Sequence, residues 1–109
     1  MSRIKELKML VEEKSKLEKE LAGTKNFEDR VKLSYRIGGL LACMVLEGKN
    51  IFLIKEMDIV DKEIQVKEIK SKIKAIKEQE GETEYLLDLY KQLGLKETWL
   101  FTVKNTRNK

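Results

Sequence analysis

Histidine and proline are absent from this 109-residue chain, and cysteine occurs once. Without histidine the commonest metal ligand and the usual near-neutral general base are both missing. The lack of proline and histidine, set beside a preference for Lys and Glu, fits either a thermophilic source or an AT-rich genome. A lone Cys43 cannot close an intrachain disulfide, which points to a reducing, cytosolic setting. Its neighbours Ala42 and Met44 make it read as a small buried hydrophobe rather than a reactive thiol.

Charge of one sign is also lacking. Lys+Arg 23 against Asp+Glu 19 gives a net charge of +4 with both signs interspersed, a weakly basic surface rather than a strongly nucleic-acid-binding one. Long apolar runs are rare in a chain that is 39% charged. The exception, residues 37–54 (IGGLLACMVLEGKNIFLI), carries Glu47, Lys49 and Asn50, whereas a bilayer span needs about 20 predominantly apolar residues. The N-terminus has no apolar signal-peptide core. A cytoplasmic location and no membrane association are therefore expected.

Chemistry-bearing motifs are missing as well. There is no glycine-rich phosphate loop, no nucleophile beside a base and no Cys/His cluster. The acidic set Glu56, Asp58, Asp61 and Glu63 could in principle hold Mg²⁺, but it has no second acidic helix, and helix capping accounts for Asp58. No catalytic, cofactor-binding or metal-binding residue is assigned, and the chain reads as a non-enzyme without a cofactor.

What is present is helical patterning. Residues 3–22 carry Leu7, Leu10, Leu17 and Leu21 at helical spacing, broken by Lys14, and Gly23 is expected to end this helix in a left-handed conformation. Asn26 caps a second helix with Glu28 and Asp29 in its first turn and Phe27, Val31 and Tyr35 on its apolar face. At Gly38-Gly39 the reading forks. Either the helix continues to Leu46, with the glycines allowing close packing and Gly48 ending it, or the glycines stop it and 41–46 pairs with 51–55 as a β-hairpin around the turn at 47–50.

Two signals favour the hairpin. Asp58, with Asp61 three residues on, looks like a fresh helix start, and Trp99, Phe101 and Val103 alternate with Thr98, Leu100 and Thr102 as in a strand. A long helix over 59–80 carries the stripe Val66, Ile69, Ile73 and Ile76, with Val60 and Ile64 out of phase, which implies different partners along its length. Gly81 stops it. A short helix over 84–93 follows, capped by Thr83, with Leu86, Leu89, Tyr90 and Leu93 facing inward and Gly94 at its end. No internal repeat is apparent, and the basic tail 104–109 reads as frayed.

The expected fold is thus α+β and predominantly helical: one domain over 1–109 with a helical hairpin, a long third helix and a small antiparallel sheet. An all-α helical bundle is the alternative. Thin helical stripes that want partners, together with the missing chemistry, point to a small regulatory interaction protein. It would form a homodimer and bind a protein partner, as a phage- or plasmid-type accessory factor does. The alternative is a nucleic-acid-binding regulator using the lysine edge Lys67, Lys70, Lys74 and Lys77 with Lys104 and Arg107, and a β-wing at 51–55. Trp99 and Phe101, on one strand face, are candidate interface anchors.

Overall fold

A computed structural model describes residues 3–79, 81 and 83–107, the side chains of residues 3–5 apart. It contains four helices, α1 (Arg3–Gly23), α2 (Phe27–Leu46), α3 (Glu56–Gln79) and α4 (Glu84–Arg107), with one 3₁₀ turn (Ile51–Leu53) between α2 and α3. Among the described residues there is no strand, so the fold is all-α and the expected α+β fold with a small sheet is incorrect.

The error has a physical source at each place. Residues 41–46 continue α2, as their good helix formers Leu41, Ala42, Met44 and Leu46 allow. Residues 51–53 make a single 3₁₀ turn, with the Asn50 side chain accepting from the Phe52 N–H at 3.0 Å, so no β-wing exists. Residues 98–103 lie inside α4, where Trp99 and Val103 enter one core, Phe101 faces out, and Thr98 meets Gly39 of α2. Apolar residues on several sides of a helix that has neighbours on several sides imitate strand alternation.

Capping explains most helix ends. Asn26 Oδ1 accepts from the Asp29 N–H at 3.1 Å, and Thr83 Oγ1 from the Leu86 N–H at 3.0 Å. Asp58 is the third residue of α3 and reaches back to accept from the Lys55 N–H at 3.3 Å, the reciprocal half of a capping box rather than an N-cap. Gly81 takes φ 75° and donates its N–H to the Ile76 carbonyl at 3.0 Å, which closes α3. Gly23 does not adopt the left-handed conformation expected of it; α1 closes through Thr24, whose hydroxyl donates to the Glu20 carbonyl at 2.6 Å.

The helices lie side by side in the order α1, α2, α4, α3. The α1 helix packs on α2 and α3 packs on α4, each pair antiparallel, while α2 and α4 run parallel along the middle. The Cα extents are 41 × 31 × 17 Å. A width of 31 Å is what four helices abreast at 8–10 Å spacing require. The radius of gyration, 15.1 Å, exceeds the ~13 Å of a compact domain of this length.

Close approach at the centre is set by two glycines. A Cβ on Gly38 would collide with the Lys91 carbonyl oxygen and stand 2.8 Å from the Leu95 nitrogen, and one on Gly94 would collide with the Tyr35 carbonyl oxygen. Gly94 therefore does not end a helix; α4 passes through it, continuing for 13 residues to Arg107.

The contact is reciprocal, and it exposes a repeat that the sequence conceals. Gly38 and Gly94 are 56 positions apart, and the same offset relates the buried triad Leu17, Leu33 and Ile37 of the first hairpin to Ile73, Leu89 and Leu93 of the second. It also relates Lys14-Ser15-Lys16 to Lys70-Ser71-Lys72. The fold is one α-hairpin used twice around an approximate two-fold axis between α2 and α4. A third cluster, Ala42, Leu46, Ile59, Trp99 and Val103, seals the end where the chain crosses from α2 to α3.

Candidate functional site

The α3 helix has two apolar sides. Ile59, Val66, Ile69 and Ile73 are buried, most of them against α4. Met57, Val60 and Ile64 follow helical spacing on the opposite side and are 71%, 50% and 49% exposed, and the adjoining Phe52 and Leu53 are 65% and 78% exposed. The out-of-phase positions Val60 and Ile64 thus mark a strip along the outer edge of the array. Met57 joins them by helical spacing, while Phe52 and Leu53 are exposed in the turn before α3, where only the apolar block as a whole signalled them.

The lysine edge divides in two. Lys70 pairs with Glu97 at 3.4 Å, Lys104 with Glu63 at 3.3 Å and Arg107 with Glu56 at 3.2 Å. Lys67, Lys74 and Lys77 make no ion pair with another described residue. Lys104 and Arg107 lie in the last turn of α4, while residues 108 and 109 lie outside the described residues.

Trp99 and Phe101 separate. Trp99, 7% exposed, belongs to the core with Ala42, Leu46, Ile59 and Val103, and the Lys62 ammonium lies 5.3 Å from its ring centroid. Phe101 is 69% exposed. Beside Trp99 is an open cleft of about 420 Å³ whose polar lining includes Asp58, Asp61, Lys62 and Gln65. Burial, with the Lys62 charge second, pulls the nearby Lys96 ammonium below the ordinary lysine range. Among the described residues no group of three or more Cys, Asp or Glu could hold a metal ion. Cys43 is half-buried and lines a separate cleft with Tyr35, Arg36 and Gly39, rather than being fully enclosed.

A second surface lies in the trough between the N-terminal halves of α2 and α4. Phe27, Val31 and Tyr35 form one wall, and Tyr90 forms the other above the buried Leu86 and Leu93. Two adjoining hollows of about 610 and 460 Å³ share Val31, Lys32 and Tyr90. Lys32, Arg36 and Lys77 stand around them, with Glu28 at one end. Where the trough meets the middle of α4, the Tyr35 hydroxyl donates to Glu97 Oε1 at 3.1 Å, and Lys70 pairs with the other oxygen of that carboxylate. Burial, then the Glu97 charge and hydrogen bond, raise the Tyr35 phenol above its ordinary range.

Sequence reasoning placed Phe27, Val31, Tyr35, Tyr90 and Leu93 on inward apolar faces but did not single out Lys32 and Arg36. Their i, i+4 spacing beside that face was the available signal.

Among the described residues no helix is long and apolar enough to cross a membrane. Compared with protein-family models, curated proteins and solved structures, the chain matches none.

Proposed function

We propose that the protein is a non-enzymatic interaction module that self-associates through the outer edge of α3 and engages a macromolecular partner. The observation that carries this reading is the outward row Met57, Val60 and Ile64 on α3, with Phe52 and Leu53 exposed in the turn that precedes the helix. Large apolar side chains left in water along one helix side mark an association surface. The occupant is a second copy of this chain, α3 against α3, because an isologous two-fold contact buries the same patch on both subunits.

The packing supports the same reading: α1 and α3 are edge helices, packed on α2 and α4 respectively. Sizing by light scattering tests the dimer: Ile64→Glu should convert the wild-type dimer to monomer without lowering helicity. A dimer that survives Ile64→Glu and Val60→Glu would refute the assignment.

The nucleic-acid alternative finds less support. Three of its six cations are committed to carboxylates, and the β-wing it would use is a 3₁₀ turn. Salt-sensitive duplex binding lost on charge reversal of Lys67 and Lys74 would revive it.

A further inference from the structure

We propose that the trough between α2 and α4 receives an acidic amphipathic helix from a protein partner. The inference rests on reading the chain as an interaction module and names the class of partner, but it uses a surface distinct from the α3 strip.

The shape comes first. Phe27, Val31 and Tyr35 recur every four residues along α2, and Tyr90 faces them from α4 above the buried Leu86 and Leu93. An open furrow with an apolar row on one side and an aromatic on the other matches a third helix laid along it, anchored at i, i+3, i+4 and i+7. From Phe27 to Tyr35 the furrow runs about 12 Å along α2, just over two turns. A helix placed there would cover the apolar side chains that line the furrow.

Charge selects the sign of the partner. Lys32 and Arg36 stand one turn apart on the α2 side, and Lys77 reaches the furrow from α3. None of the three pairs with a carboxylate of another described residue, although Arg30 and Lys70 near them do. A bound helix with carboxylates flanking its apolar face would meet cations on both sides.

The internal repeat sharpens this. At the 56-residue offset Lys32 corresponds to Asp88, Arg36 to Gln92 and Tyr90 to Ser34. Gln92 donates to Asp88 at 2.9 Å, and Ser34 is buried. The repeated scaffold therefore carries the basic rim and the tyrosine wall on one of its two equivalent sides, so they do not follow from the backbone alone. The floor argues for a peptide over a polyanion: Leu86 and Leu93 are aliphatic, and the Glu97 carboxylate stands where a phosphate chain would continue.

The test is fluorescence anisotropy at low salt with a labelled synthetic helix of about 16 residues, leucine at the anchor spacing and glutamate elsewhere. The wild-type chain should bind it saturably. The double variant Lys32→Glu, Arg36→Glu should bind at least about tenfold more weakly with an unchanged thermal melt, and a lysine-for-glutamate peptide should recover binding to that variant. Ile64→Glu, which targets the strip, should leave peptide affinity within about twofold.

A wild-type chain that sizes as a monomer yet binds the acidic peptide removes the dimer and keeps the furrow. No binding, equal binding of acidic and basic peptides, or indifference to the double charge reversal would overturn the proposal. So would displacement of the peptide by a DNA duplex in a Lys32- and Arg36-dependent way, which would assign the furrow to nucleic acid.

Discussion

Gly38 and Gly94 each lie against the carbonyl of the residue three positions before the other: Gly38 against Lys91 and Gly94 against Tyr35. This mutual seating brings α2 and α4 into backbone contact and forms the axis about which the two hairpins repeat. It also fixes the depth of the furrow, since the walls contributed by Tyr35 and Tyr90 stand on either side of it.

A methyl at either glycine meets backbone atoms, which cannot yield as a flexible side chain can. Gly38→Ala and Gly94→Ala should each destabilise the fold by about 3 kcal/mol or more, read from chemical denaturation. Gly23→Ala, at the open end of α1 with nothing within 4 Å of a built Cβ, should be neutral or stabilise by up to about 1 kcal/mol. Equal effects at the three sites would contradict the close crossing.

Trp99 and Phe101 are two residues apart and should respond oppositely to truncation. Trp99→Ala removes the largest member of the cluster that joins Ala42, Ile59 and Val103 and should cost about 3–5 kcal/mol. Phe101→Ser should change stability by less than about 0.5 kcal/mol. Thermal melts of both variants decide the matter.

Tyr35 gives the fold an alkaline dependence. Its folded-state pKa is raised, first by burial and then by Glu97, so the folded chain holds the phenol proton more tightly than the unfolded chain does. The associated stability is fully present below the unfolded value near pH ~10 and is lost as pH rises through the folded value. Phenolate absorbance should lose a late-titrating component in Tyr35→Phe. Glu97→Gln should move it only part of the way back, because burial remains.

Ser34 presents a small opportunity. Its hydroxyl is buried in α2 with no hydrogen-bond partner among the described residues. Ser34→Ala should therefore leave stability unchanged or raise it by about 1 kcal/mol, whereas a loss of that size would reveal a partner for the hydroxyl.

Local signals were legible where a single segment decides the outcome. Asn26, Thr83 and Gly81 punctuate the helices as their side chains or backbone freedom predict, and the Val66, Ile69 and Ile73 stripe faces α4. Tertiary contacts decided the rest. Gly94 looks like a helix stop until the Tyr35 backbone lies against it, and residues 98–103 alternate because α4 has α2 on one side and α3 on the other. The repeat stayed hidden because the hairpins share little beyond their glycine, their core triad and one Lys-Ser-Lys run. Of the surfaces, the phase shift at Val60 and Ile64 was visible in advance. The furrow needs both central helices, so neither one alone could show it.

The most direct measurement is sedimentation equilibrium of the unmodified chain across a wide concentration range at moderate salt. The α3 strip calls for a species of twice the 12.8 kDa chain mass, dissociating only on dilution. A single species at 12.8 kDa up to the highest concentration would contradict self-association.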